Sequence, residues 1–217
     1  MYVANVFILK WLSQLCADNQ FGERKFVINN NEKAEDFDWR EHGIILHVPE
    51  KAFPTTASEC TIDVKSSPTG AYNFPEDAEQ VPVSNVYDIN TSETLCRPIT
   101  VVIDHCVAID PDDDEDLAQL ENIRIVVADS STPRSSYQFR YIESNYTVTP
   151  TSVMVSMPHF CFLAAVFSQG HSRTRFCAKI FLQNESLTSH YIHFVLIRNL
   201  ASYIQVGFDK GYCIYRA

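Results

Sequence analysis

The sequence predicts an all-β fold: an antiparallel β-sandwich with a short N-terminal helix before it and part of a second β-domain behind it. Three observations lead to this prediction: the apolar runs are short, they are rich in Val, Ile, Tyr and Phe, and turn residues separate them. Runs of this kind at this spacing are typical of sandwiches and barrels. With 217 residues, 46% of them hydrophobic, the chain is long enough to bury a substantial core.

The first 36 residues differ from the rest of the chain. Val3, Phe7, Lys10 and Trp11 fall at helical spacing and predict a short amphipathic helix. Polar residues dominate positions 18–36, which we interpret as a linker. A signal peptide is the alternative for the first stretch, but the apolar run there is short, is interrupted by Lys10 and lacks a basic start.

From Phe37 onward, period-two alternation and short apolar runs predict a series of strands. Prolines help to separate them, because proline removes a backbone donor and fixes φ. The polar loop 168–175 is our candidate for a connection between domains or between sheets. The predicted strands are 43–48, 60–66, 81–89, 98–107, 122–130, 137–144, 152–160, 161–167, 175–183, 190–200 and 202–208.

The chain is acidic, with 27 Asp and Glu residues against 17 Lys and Arg residues and a formal net charge of −10. Such a surface repels phosphate, so we expect neither nucleic acid nor an anionic membrane as a partner. No continuous apolar run reaches the roughly 18 residues of a membrane span. The six glycines form no phosphate-binding loop and no cofactor motif occurs, so we expect no cofactor and no small-molecule substrate.

The seven cysteines are odd in number and widely spaced, without a C-x-x-C pair. Most lie among apolar residues, which predicts buried free thiols in the reducing cytoplasm. The alternative is a secreted fragment joined by disulfides, in which the sequons at Asn90, Asn145 and Asn184 would carry glycans. The oxidation state of the thiols distinguishes the two hypotheses. The cysteines are Cys16, Cys60, Cys96, Cys106, Cys161, Cys177 and Cys213.

Two proline-containing segments carry a family resemblance. Residues 43–54 read GIILHVPEKAFP, and residues 94–106, about fifty positions later, read TLCRPITVVIDHC. The first is similar to the opening signature of the ZU-five domain, and the second to its Arg/Lys-Pro strand that ends in His-Cys. Residues 37–160 therefore resemble the ZU-five family of zonula-occludens scaffolds, ankyrins and netrin receptors. The resemblance implies a β-sandwich that acts as an interaction module or scaffold in cytoplasmic signalling, with other protein domains as partners, in cis or in trans.

The last part of the chain resembles the start of the UPA domain that commonly follows a ZU-five module. Residues 175–206 contain a Cys-x-apolar strand, a turn and a second strand that ends in Asn-Leu. The family's UPA domain is longer than this segment, so the resemblance implies a partial second domain. We accordingly divide the chain into a helix and linker at 1–36, a ZU-five-like sandwich at 37–160 and a partial UPA-like segment at 161–217.

The segment MPHFCF at residues 157–162 lies where the two predicted domains meet. In some ZU-five/UPA relatives this junction reads His-Phe-Ser, and the chain cuts itself between Phe and Ser. The resemblance carries this role to the bond between Phe160 and Cys161, with Cys161 as nucleophile and His159 or His105 as base. The thiolate would attack the Phe160 carbonyl carbon, and water would hydrolyse the resulting thioester. The alternative interpretation is a buried strand in which the cysteine is an ordinary core residue.

Two other patterns imitate metal sites. The acidic run at 110–121 has calcium-loop spacing, but Glu115 stands where such a loop needs glycine, so we expect a solvated acidic loop. His190 and His193 are three residues apart and would point to opposite faces of a strand. We therefore expect no bound metal.

Overall fold

The computed structural model describes the central part of the chain and a hairpin near its end. The fold-class prediction is confirmed: the protein is mostly β, with two antiparallel sheets in a sandwich and a short helix. The predicted N-terminal helix, the loop 168–175 and the predicted strand 202–208 lie outside the described residues. The described residues are 22–29, 32–56, 59–67, 80–129, 138–167, 176–186 and 189–198.

In the part of the chain that the structure describes, the larger sheet has seven strands, and every pairing in it is antiparallel. Its short strand β5 (Val81–Pro82) pairs with β12 (Phe162–Phe167), which also pairs with β6 (Val86–Thr91). The other strands, in spatial order, are β1 (Gly22–Ile28), β4 (Cys60–Ser67), β6 (Val86–Thr91), β12 (Phe162–Phe167), β8 (Ile123–Ala128) and β9 (Arg140–Tyr141).

The smaller sheet has five strands among the described residues, again all antiparallel. Strands that lie far apart in sequence meet at its centre, where β7 lies between β3 and β11. In spatial order the strands are β10 (Tyr146–Val148), β11 (Ser152–Met157), β7 (Ile99–Asp104), β3 (Ile44–Val48) and β2 (Glu35–Trp39).

The core lies between the two sheets, because each sheet turns alternate apolar residues inward. In the smaller sheet, Leu46, Val101 and Val155 share one inward row across three strands and are fully buried. Ile62 and Leu163 of the larger sheet belong to the same core cluster. The period-two pattern in the sequence thus arises because each strand has one buried side and one outward-facing side.

The sandwich extends beyond the predicted 37–160 at both ends. β1 lies within the predicted linker, where Phe26 and Ile28 follow three exposed charged residues, flank the exposed Val27 and are buried in the core. At the other end, β12 (Phe162–Phe167) pairs with β6 and β8 inside the larger sheet. Residues 162–167, which the predicted division assigns to the UPA-like segment, thus form a strand of the larger sheet.

The acidic run contains the short helix α1 (Asp114–Ala118), followed by a 3-10 helix, Gln119–Asn122. Asp113 caps α1, since its side chain accepts hydrogen bonds from the backbone N–H groups of Glu115 and Asp116. The Asp110 carboxylate similarly accepts from the backbone N–H of Asp112, at 3.0 Å. These carboxylates therefore serve as backbone acceptors at a helix start.

The predicted strands 175–183 and 190–200 correspond to a hairpin of β13 (Phe176–Ser186) and β14 (Ser189–Arg198). The pairing is antiparallel and shifts register between Asn184 and Ser186. No helix within the described ranges is long and apolar enough to cross a membrane.

Candidate functional site at the sheet crossover

The candidate residues His159, Phe160 and Cys161 lie on the short segment that connects β11 to β12. This segment carries the chain from the smaller sheet to the larger one. At its start Met157 pairs with Ile99 on β7, and at its end Phe162 pairs with Asp88 and Ala128. The Phe160–Cys161 bond therefore lies at a crossover between the two layers of the sandwich.

The Cys161 side chain is a core residue, with 2% of its surface exposed. Its carbonyl oxygen accepts a hydrogen bond from the backbone N–H of Ile89, at 3.4 Å. Burial raises the pKa of the thiol to about 12, the Asp129 carboxylate adds to this effect, and the Arg140 guanidinium opposes it. Because the thiolate is the nucleophilic form, this environment keeps the group unreactive near neutral pH.

His159 and Phe160 occupy different environments although they are adjacent. His159 is exposed, whereas Phe160 is half-buried and packs against the core. The thiol of Cys161 thus lies inside the sandwich while the ring of His159 is in solvent. Among the described residues, no hydrogen bond links that ring to the thiol.

The other candidate base, His105, follows β7 and is 5% exposed. Its Nε2 lies 2.8 Å from the carbonyl oxygen of Thr149, so the ring contacts the turn between β10 and β11. This contact gives His105 a structural role that joins the end of β7 to that turn.

Backbone pairing shows how far His105 lies from the candidate nucleophile. The next residue, Cys106, donates its backbone N–H to the carbonyl of Val83, and Val83 donates to the carbonyl of Ala165. These two bonds connect the residue after His105 to Ala165 on β12. Ala165 is four residues from Cys161 along the chain, a distance of about 13 Å in a strand. The structure does not bring His105 to the Cys161 thiol.

The two segments that carry the family resemblance lie side by side. Residues 43–54 contain β3 and residues 94–106 contain β7, and these strands pair directly, with Ile45 opposite Val102. Beyond the strands the contact continues, because the Ala52 carbonyl accepts hydrogen bonds from two backbone N–H groups of the second segment, at 2.7 and 3.4 Å. Two stretches about fifty residues apart in sequence thus form one structural unit.

Gly43, at the start of the first segment, has a positive φ of 72°, which explains the glycine at this position. A Cβ atom added there would meet the Tyr87 hydroxyl at 3.3 Å and the Asp104 Cβ at 3.4 Å. The tight approach brings the corner between β2 and β3 against the larger sheet. Any side chain at this position would disturb that contact.

A buried polar cluster next to Gly43 was missed by sequence reasoning. The Tyr87 hydroxyl lies 2.8 Å from the His42 carbonyl oxygen and 2.9 Å from that of Gly43. Asn85 donates from Nδ2 to the His42 carbonyl and to the Ser66 hydroxyl, each at 3.0 Å. Because these partners come from distant strands, no local pattern in the sequence marks them, and the glycine is the sole hint.

Comparison with known proteins gives no identification. No protein-family model matches this chain. No curated protein matches it either. Among the described residues, no group of three or more His, Cys, Asp or Glu side chains is arranged to hold a metal ion. Function is therefore inferred from the residues and contacts given above.

Proposed function

We propose that this chain is a protein-interaction module of the ZU-five type, a scaffold element of cytoplasmic signalling whose partners are other protein domains. The observation that carries the proposal is the pairing of β3 with β7, the strands of the two resembling segments. The two resembling segments are distant in sequence, and the contact between their strands gives a physical reason for both to occur in one chain.

The two segments make polar contacts as well as apolar ones. Arg97 donates from its guanidinium to the carbonyl oxygen of Glu50 at 3.0 Å, beside the backbone bonds to Ala52. This network holds the loop that follows β3 against the loop that precedes β7. Two adjacent strands whose loops are joined in this way support a role in presenting a fixed surface to another protein.

The state of the cysteines supports the cytoplasmic part of the proposal. Cys60 and Cys161 are free thiols buried in the core, and Cys96 is a free thiol on the surface. An exposed thiol persists most readily in a reducing compartment. Oxidised cysteines or glycosylated sequons in protein isolated from its native cells would contradict this assignment.

A reconstituted complex tests the proposed function. The full chain would be cross-linked in cells, the partners identified by mass spectrometry, and each candidate purified and titrated by calorimetry. We expect saturable, stoichiometric binding that is lost when Ile103→Asp disrupts the core, since Ile103 is fully buried. A folded chain that forms no stoichiometric complex with any purified candidate would contradict the proposal.

The alternative proposal, self-cleavage between Phe160 and Cys161, has one observation in its favour. The bond lies in the crossover between the sheets, so that both new ends would remain anchored by strand pairing, β11 to β7 and β12 to β8. Against it stand the raised pKa of the thiol, the exposure of His159 and the strand pairing that places His105 away from the thiol. The geometry therefore favours the interaction module.

A further inference from the structure

The outer face of the smaller sheet carries an apolar row across three strands. Ile45 on β3 pairs with Val102 on β7, which pairs with Met154 on β11, and all three point away from the core. Met154 is 42% exposed, and Ile45 and Val102 are half-buried. We call these three residues the outer row.

The outer face of the larger sheet, in contrast, carries a buried apolar cluster. On β12, Phe162, Ala164 and Val166 face away from the main core, yet they are buried in a second apolar cluster. That cluster includes Phe139, from the segment that leads into β9, with Tyr141 packed against it. Among the described residues, side chains of the chain itself thus cover the outer face of β12, whereas Met154 in the outer row of the other sheet is exposed.

Acidic side chains border the outer row. Asp38 on β2 pairs with Ile45, and Asp104 lies two residues beyond Val102 on the same face. Partial burial raises the pKa of the Asp104 carboxyl, the Arg40 guanidinium opposes this effect and the Asp38 carboxylate adds to it. Arg40 forms an ion pair with Asp38 at 3.0 Å, but both side chains are largely exposed, so this pair is weak.

Asp36, in the adjacent row of β2, adds a third carboxylate to this border. Its Oδ1 lies 2.7 Å from Nδ1 of His47, again in an exposed pair. Three carboxylates therefore border the outer row, beside two guanidinium groups, that of Arg40 and that of Arg24, which donates to the Asp38 carbonyl oxygen at 3.2 Å. The carboxylates exceed the guanidinium groups by one, in a protein whose formal net charge is −10. The electrostatic complement of this surface is a cationic segment.

We propose that the outer row and its acidic border form the docking surface for an amphipathic segment of a partner protein, with apolar side chains flanked by Lys or Arg. This inference rests on the proposed interaction function and adds to it the face that is used and the chemistry of the partner.

The dimensions of the surface fit one helix. Two strand spacings separate Ile45 from Met154, about 10 Å, which equals roughly two turns of an α-helix. Methionine at the most exposed position of the row adapts to different apolar partners. Asp38 at one end of the row and Asp104 at its side are placed to meet basic side chains on the border of such a helix.

The methionines provide a built-in pair of probes. Met154 faces outward, whereas Met157, three residues along the same strand, is 3% exposed and faces the core. The test uses the full chain labelled with 13C at the methionine methyl groups. The titrant is a synthetic peptide of about five helical turns with a leucine face flanked by lysines. A second peptide carries glutamate in place of every lysine.

We expect the lysine peptide to bind saturably and to shift the Met154 signal while the Met157 signal stays in place. Met154→Glu and Asp104→Asn should each weaken binding, the first by about tenfold or more. Asp112→Asn, in the distant acidic loop, controls for net charge and should leave the affinity unchanged. The glutamate peptide should not bind.

Equal binding of both peptides, a Met154 signal that does not move, or an equal loss with Asp112→Asn would overturn this docking surface. None of these outcomes would contradict the interaction function itself, which the reconstituted complex tests separately. Conversely, a lysine peptide that shifts Met154 would support the surface even before a natural partner is known.

Discussion

The hydroxyl group of Tyr87, in the larger sheet, lies 2.8 Å from the carbonyl oxygen of His42, at the corner of the smaller sheet. Tyr87 is 1% exposed, and this partly buried hydrogen bond joins the two layers of the sandwich. Burial, together with the nearby Asp104 carboxylate, raises the pKa of the phenol well above its usual value. The phenol is therefore a donor across the whole physiological pH range.

Tyr87→Phe removes this donor and leaves buried carbonyl oxygens without it. We expect the free energy of unfolding to fall by about 1–3 kcal/mol, the usual cost of a buried polar group that loses its partner. Urea denaturation followed by tryptophan fluorescence measures the change. The control is Tyr146→Phe at a half-buried position, which should cost less than about 0.5 kcal/mol. Equal costs for the two variants would contradict the role of Tyr87.

Gly43→Ala should also destabilise the sandwich. A residue with a side chain pays about 1–2 kcal/mol for the left-handed conformation, and the added Cβ would press on Tyr87 and Asp104. Gly43→Val should cost more, because a β-branched residue tolerates positive φ least. The same denaturation assay ranks the variants. An unchanged midpoint for Gly43→Val would show that the corner is not held as described.

Cys161 should resist alkylation in the folded protein. Its side chain is buried and its thiol remains protonated near neutral pH, whereas Cys96 is exposed. We expect iodoacetamide at pH 8 to modify Cys96 first and to reach Cys161 only in denaturant, as measured by peptide mass spectrometry. Modification of Cys161 as fast as Cys96 would reveal an activated thiol and would support the self-cleaving alternative.

The same thiol makes stability depend on alkaline pH. Its pKa rises from the usual 9.0 in the unfolded chain to about 12 in the folded protein. The unfolded state therefore loses the proton first, and the stabilisation, complete below pH 9, is lost as the pH rises from 9 towards 12. We expect the urea midpoint to fall above pH 9, and to fall less steeply in Cys161→Ala. Parallel curves for the two proteins would contradict this assignment.

The three central strands of the smaller sheet were predictable because their alternation is regular. In β3, β7 and β11 every second residue is buried, which is the pattern that one covered face imposes. β1 was missed because only two of its residues, Phe26 and Ile28, are buried. The charged residues before them make the segment read as a polar linker. The placement of β12 depended on its pairing with Asp88 and Ala128, contacts that no local pattern encodes.

The candidate site shows the same limit. The sequence places His159, Phe160 and Cys161 next to one another, but it does not reveal which side chains face the core. The distance from His105 to Cys161 follows from strand register, and only the folded chain shows it. The outer row likewise depends on the register of three strands.

The central claim is that this protein acts through its folded surface and not through the Cys161 thiol, and the intact mass of the purified chain tests it most directly. Under denaturing, reducing conditions we predict a single species at 24.7 kDa that persists for days. Two fragments that together equal one chain plus one water, divided between Phe160 and Cys161 and absent from Cys161→Ala, would contradict the claim and establish self-cleavage.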